Sequence, residues 1–249
     1  MSVKSAERVL QIFELLSREP DGLTVKEISE SLLFPQSSTS NLVATLSAQG
    51  YLRLDPSKRY KLGAKLIHIG TMAMENLDIS LVAKPYLEKL MQNVQETVFM
   101  ATLSEEELVY VLKIDSKRSI RTTAQTGFRK PLYCTGLGKT FLANMSEKDR
   151  SRILDQIQLV PITPKTITNR EELEKELYQY SLIGYTIDDE ENEEGLYCVA
   201  APIFGADRKI HAAISVAGPK ERMLAQQGEV VERVLWTSRK ISEGIGCIS

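Results

Sequence analysis

Apolar residues recur at helical spacing three times in the first fifty positions, and the pattern then changes to short alternation. Ala6, Val9, Leu10, Ile12, Phe13 and Leu16 share one face, with Ser5 ahead of them as a candidate N-cap, which predicts a helix over 5–18. Pro20, Asp21 and Gly22 stop it, because proline cannot continue a helix and glycine tolerates a turn. Thr24 with Glu27 three residues on has the form of a capping box, and Ile28, Leu32 and Leu33 give a second short helix its apolar face, ending near Leu33. The stretch FPQSSTSNLVATL that follows starts with the composition of a linker. Pro35 nevertheless suits a helix start, the serines and threonine can satisfy free amides there, and Leu42, Val43, Leu46 and Ala48 resume the helical period up to Gly50. The polar run therefore reads as the first half of a third helix. Two alternating runs, 51–54 and 59–62, flank Asp55, Pro56, Ser57 and Lys58 and predict a hairpin. Three helices and a hairpin is the order of a winged helix-turn-helix, with the third helix as reading head and the hairpin as wing.

Residues 62–76 continue as a connecting helix of mixed polarity, closed by Asn76, Leu77 and Asp78. A helix over 79–95 leads into strands at 97–103, 108–113 and 120–124 and helices at 136–144, 147–157 and 170–183. Strands at 185–188, 198–204 and 210–217 follow, then a long amphipathic helix over 221–244. This order predicts an α+β fold, a winged helix-turn-helix domain over 1–62, a linker helix over 63–78 and a second domain over 79–249 whose antiparallel sheet is flanked by helices, GAF-like in outline.

At 249 residues the length suits two domains. A net charge of −2 argues against a wholesale electrostatic grip on nucleic acid, but an average over two domains can hide a local basic face. Cys134, Cys198 and Cys247 are widely spaced and form no C-x-x-C pair, so neither a disulfide framework nor a zinc knuckle is expected. With no signal-like leader and no run of about 18 apolar residues, the expected setting is the cytoplasm, without membrane association.

The candidate chemistry lies mainly in the polar run. A reading head needs short polar side chains so that its backbone can approach the floor of the major groove, about 12 Å wide. Gln36 and Asn41 can offer amides to base edges, while Ser37, Ser38, Thr39 and Ser40 suit phosphates or single base contacts. Lys26 could reach a phosphate from the second helix, and Arg53, Lys58 and Arg59 give the wing a basic tip. The acidic run from Asp188 to Glu194 lacks the alternating positions of an EF-hand and reads as a solvated loop. His68 in the connecting helix and His211 in a late strand make a poor zinc or catalytic set, and no metal or cofactor is expected. The competing reading is an enzyme acting on a small metabolite with Cys134 or Cys198 as nucleophile, for which His211 is the one histidine in the second domain.

Motifs in both halves resemble an IclR-type bacterial transcriptional regulator. They are S-A-x-R-V-L-x-I-F-x-L-L, T-V-K-E-I-S, P-x-S-S-T with L-x-x-T-L-x-x-x-G-Y-L, and Y-K-L-G in the first half. In the second they are G-F-R-K-P-L-Y-C-T-G-L-G-K-x-x-L-A, G-Y-T-I-D-D-E-E-x-x-x-G-L-Y-C-V-A-A-P-I-F and A-A-I-S-V-A-G-P. The resemblance implies a DNA-binding regulator, a repressor being the expected case although the sequence leaves the sign of regulation open. It also implies a palindromic double-stranded operator and a homodimer or homotetramer. Its second domain would bind a small organic acid between the sheet and the helix opening at Gly136. By that resemblance Gly136 and Leu137 offer backbone amides, Asp188, Cys198 and Ser215 polar contacts, and Leu196 an apolar wall. Thr122 and Lys130 stand where some members carry apolar side chains, which suggests a larger or more polar ligand such as a sugar-derived acid. Asn41 stands where the family often carries a basic residue.

Overall fold

A computed structural model describes residues 3–75 and 78–247. Two compact units divide the chain, Met1–Leu77 and Asp78–Ser249. In the first, α1 (Lys4–Ser17), α2 (Val25–Ser31) and α3 (Gln36–Ala48) precede a hairpin of β1 (Leu52–Leu54) and β2 (Tyr60–Leu62), and α4 (Ala64–Glu75) follows. Ile12, Leu16, Ile28, Val43, Leu46 and Leu52 form the core of this unit, each worth roughly 1.5–3 kcal/mol when fully buried. Asn76 and Leu77, expected to close the connecting helix, lie outside the described residues.

The caps differ from expectation in two places. The predicted cap Ser5 sits inside α1, whose N-cap is Val3 with no side-chain bond. Pro35 is itself the N-cap of α3, and none of the following hydroxyls caps the helix. The predicted box at α2 forms in full: the Thr24 side chain accepts from the Glu27 amide, and the Glu27 carboxylate accepts from the Thr24 amide at 2.7 Å.

The second unit opens with α5 (Ile79–Val94), then β3 (Thr97–Ser104), β4 (Glu107–Ile114) and a two-residue β5 (Arg129–Lys130). Helices α6 (Gly136–Asn144), α7 (Glu147–Gln156) and α8 (Arg170–Ile183) lead to β6 (Thr186–Asp189), β7 (Leu196–Phe204) and β8 (Ile210–Pro219), and α9 (Lys220–Ala225) and α10 (Gln227–Gly244) close the unit. The strands form one sheet in the order β5-β4-β3-β8-β7-β6, every pairing antiparallel. Alternation along the strands sends Val98, Met100, Val199 and Ile214 to a core shared with α5 and α10. Phe99, Ala101, Cys198 and Ala213 point the other way, into a core shared with α6 and α8.

Two predicted elements are corrected. No strand forms over 120–124: Ile120 is 71% exposed, and β4 pairs instead with Arg129 and Lys130. Only Thr122 and Ala124 of this stretch turn inward, too little apolar surface to hold a strand against the sheet. The C-terminal helix is broken at Gln226, whose backbone leaves helical geometry at φ −126° while its side-chain amide donates to the Val94 carbonyl at 3.2 Å.

Candidate functional site

The first candidate site is the exposed face of α3. Gln36, Ser37, Ser40 and Asn41 are exposed, as are Ala44 and Thr45 one turn on. Thr39 is not available to a ligand. It is fully buried, and its hydroxyl donates to the Pro35 carbonyl at 3.2 Å. A helix carries positions three to four apart on one face, so Thr39 joins Val43 and Leu46 on the core side. Ser38 is half-buried and accepts from Arg8 Nη1 at 3.1 Å. Arg8 also lies over the Phe34 ring, 5.0 Å from its centroid. It packs the start of the reading helix from α1, a role that a partner thirty positions away does not reveal locally.

The wing is fixed to the rest of the unit. Leu23 and Tyr60 bond each other through both backbone groups, at 3.1 and 2.7 Å, so the segment before α2 adds a bridge to the hairpin. Gly22 permits this close approach: its φ is +74°, and an added Cβ would lie 2.7 Å from the Tyr60 carbonyl oxygen. Arg59, expected at the basic tip, is directed inward. Its Nη1 donates to the Gly22 carbonyl at 2.7 Å, and its guanidinium meets both Glu27 oxygens. Arg53 and Lys58 remain exposed, with no ion pair among the described residues. Lys26 is exposed and only loosely paired with Glu30 at 3.8 Å.

The second candidate site is a cavity on the α6 side of the sheet. All eight residues expected there line it: Thr122, Lys130, Gly136, Leu137, Asp188, Leu196, Cys198 and Ser215. As it stands the cavity is narrow, with about 30 Å³ of open space, room for about one water. The register explains the convergence, since Asp188 pairs with Cys198 across β6 and β7, Cys198 pairs with Ala217 and Ser215 with Phe99. Phe99 and Tyr110 complete one wall, their ring centroids 5.0 Å apart. Neither aromatic stands out in sequence, because each is one more apolar residue in an alternating strand.

At the opening of α6, Thr135 caps the helix by accepting from the Gly138 amide at 3.0 Å. Gly136 has no side chain to keep the helix start off the sheet: an added Cβ would lie 2.9 Å from Cys198 Sγ. Asp188 is 2% exposed, and its Oδ1 accepts from the amides of Glu191 and Asn192 at 2.8 and 3.4 Å. Burial pushes its carboxyl up to about 6. Lys130 brings a cation with no ion-pair partner among the described residues. The cavity thus combines one free cation, helix-start amides, a carboxyl that changes charge near neutrality and the Ser215 hydroxyl. That set can hold an anion that also carries hydroxyl or carbonyl groups.

The acidic run is not the solvated loop expected from its composition. Asp188 and Glu191 are buried, and Glu191 pairs with the fully buried Lys139 of α6. Lys139 also reaches Glu176 at 3.1 Å and lies 5.1 Å from the Tyr180 ring centroid. Burial raises the Glu191 carboxyl to about 7 against the pull of Lys139. Asp189 and Glu190 meet Lys165 and Lys220 on the outside. No group of three or more His, Cys, Asp or Glu among the described residues is arranged to hold a metal, and no described helix is long and apolar enough to cross a membrane.

The cysteine-nucleophile reading fails on its electrostatics. Burial raises the thiols of Cys134 and Cys198 to about 12, the opposite of what an attacking thiolate needs. His211 bonds Asp207 at 2.9 Å.

Comparison with known proteins covers both units. Residues 5–56 match the IclR helix-turn-helix domain, and residues 71–243 match the bacterial transcriptional regulator IclR C-terminal domain. The chain is 32% identical over 247 residues to the transcriptional regulator KdgR of Escherichia coli, covering 98% of this chain and 94% of that one. It is 32% identical over 248 residues to the transcriptional repressor AllR of the same species, covering 98% and 90%. The crystal structure of Thermotoga maritima IclR superposes with a TM-score of 0.66 at 30% identity, over 98% of this chain and 99% of that one. The repressor BlcR of Agrobacterium tumefaciens shares the fold, with a TM-score of 0.83 at 24% identity over 100% and 99%. The chain belongs to the IclR family of DNA-binding transcriptional regulators.

Proposed function

We propose that this regulator is a repressor that binds a palindromic double-stranded operator through α3 and the wing. Its DNA affinity is controlled by a small organic acid, with a sugar-derived acid as the expected class, held in the second-unit cavity. The observation that carries the ligand reading is the meeting of the unpaired Lys130 ammonium, the α6 amides and Asp188 in one cavity. A carboxylate satisfies the cation and the amides, and sugar-type hydroxyls satisfy Asp188 and Ser215. The name of the relative AllR as a repressor supports the sign of regulation. A single winged helix reads only a few base pairs, so useful specificity calls for a homodimer or homotetramer on paired half-sites. Ligand would change affinity only in proportion to its preference for one arrangement of those paired heads, and α4, which joins the units in sequence, is where such a change would pass.

Thermal shift against a panel of organic and sugar acids, on wild type and Lys130→Ala, tests the ligand class. Stabilisation of wild type by an acid, lost in the variant, is the expected result, and stabilisation by neutral ligands alone would sink it. Titration of the stabilising acid into a DNA-binding assay then reads the sign.

A further inference from the structure

One wall of the cavity comes from a segment without regular structure. Residues 115–128 link β4 to β5, and Thr122 and Ala124 from this strap line the cavity. Most of the strap is exposed, with Ile120 at 71% and Phe128 at 48%, and apart from Ala124, which packs on the core, polar bonds set its position. Ser116 fixes the start, its amide donating to Thr97 Oγ1 at 3.2 Å and its hydroxyl to the Gln95 carbonyl at 2.7 Å. Gly127 fixes the end, donating to the Tyr110 carbonyl at 2.7 Å.

Between these ends a single side chain reaches the strap from α9. Arg222 Nη2 donates to the Ile120 carbonyl at 2.9 Å. The same guanidinium holds Glu96 in a fork, Nε to Oε1 at 2.7 Å and Nη2 to Oε2 at 2.8 Å. Arg118 of the strap approaches Glu96 from the other side at 3.7 Å. Glu96 is fully buried, and the space for its carboxylate exists because position 218 is glycine, where a Cβ would lie 2.5 Å from Oε2. A carboxylate so deeply buried needs its partner, which fixes the guanidinium and with it the place of the Ile120 carbonyl.

We propose that Arg222 is a positioning residue for the ligand cavity, holding Thr122 and Ala124 in its wall through the Ile120 carbonyl and Glu96. Its importance to ligand rests on reading the cavity as the ligand site. Release of this clasp frees the middle of the strap while the bonds of Ser116 and Gly127 keep its ends in place. The cavity opens without unfolding of the sheet, so the clasp sets how fast a ligand enters and leaves.

Two cysteines provide a readout that needs no ligand. Cys198 lines the cavity, whereas Cys134 is buried in the core and lines no part of it. Both thiols are raised to about 12 by burial, so their relative labelling reports access. The full chain is labelled with methyl methanethiosulfonate and each site is followed by mass spectrometry. Arg222→Gln is expected to raise the Cys198 rate relative to Cys134 by about tenfold, the ratio that loss of one charged hydrogen bond allows. Arg222→Lys, which keeps the charge but not the fork, falls between. An unchanged Cys198 rate, or an equal rise at both cysteines, would overturn the proposal. If Arg222→Gln does not fold, Arg118→Gln carries the test, with a smaller selective rise expected and an unchanged ratio counting against it. Because no ligand is added, failure to find a binding acid leaves this result readable.

Discussion

Arg59 and Glu27 meet through two hydrogen bonds, Nη1 to Oε2 at 3.2 Å and Nη2 to Oε1 at 3.1 Å. The residue entering β2 is thereby tied to the first turn of α2, and the Glu27 carboxyl is held below its usual value, first by the Thr24 amide and then with help from Arg59. Arg59→Ala should lower the melting temperature of the protein and leave the salt dependence of DNA binding nearly unchanged. Lys58→Ala should do the reverse, reducing the slope of log affinity against log salt by about 0.9 for one lost phosphate contact. Anisotropy of a labelled duplex across a potassium chloride series separates the two. A full unit of slope lost in Arg59→Ala would return that arginine to the DNA.

The reading helix makes a finer distinction. Gln36→Ala and Asn41→Ala should reorder affinities among duplexes differing at one base pair, because both side chains stand on the open face. Thr39→Val should leave that order intact and lower stability by about 1 kcal/mol, the worth of one hydrogen bond. Competition binding on a duplex library checks this, and equal losses on cognate and scrambled duplexes for Gln36→Ala and Asn41→Ala would remove them from base reading.

Asp188 gives the fold a pH dependence of known sign. Its carboxyl is raised from 3.8 to about 6 by burial, so the folded state holds a proton that the unfolded chain releases. Its contribution is fully present below about pH 4 and lost as pH rises through 6, on the order of 3 kcal/mol. Wild type should therefore lose stability relative to Asp188→Asn between these limits. Melts of both proteins across that range test it, and a constant difference in melting temperature would contradict it.

Gly136→Ala places a methyl group 2.9 Å from Cys198 Sγ. The variant should fold with a penalty of about 1–3 kcal/mol and lose thermal stabilisation by the acid that stabilises wild type. Adding Cys198→Ala removes the obstructing sulfur and should restore part of it. Full stabilisation of the single variant would show that the helix start does not touch the ligand.

Lys139→Met leaves Glu191 and Glu176 without their shared cation. The expected cost is about 3–5 kcal/mol, as for breaking one side of a buried pair. Lys139→Met with Glu191→Leu should recover much of it, because no charge is then stranded. Urea denaturation of the three proteins measures this, and a double variant no better than the single would refute the pairing as the cause.

How much of this was legible in sequence depended on the range of the interaction. The capping box of Thr24 and Glu27 spans three residues, and α6 follows from local spacing, so each is written where it acts. Most of the cavity residues were recoverable because family motifs mark them, although they come from a helix start, a loop and four separate strands. Lys139 was not recoverable in this way. A lysine in a helix beginning Gly-Leu-Gly looks solvated until Glu191, fifty-two positions later, folds over it. Thr39 failed for a different reason, since a run of small polar residues hides which of them turns inward. Arg59 failed because charge alone does not say whether a guanidinium faces water or a neighbouring carboxylate.

The Leu23–Tyr60 bridge gives the DNA-binding unit a mechanical consequence. Two backbone bonds close the wing onto the segment that starts α2, and Arg59 rivets the same corner. Wing and reading helix then travel as one stiff stamp whose imprint is set when the chain folds. In the paired arrangement proposed above, an input would change where two such stamps land along the double helix, and so their phase relative to its turn, rather than recut the letters that either one prints.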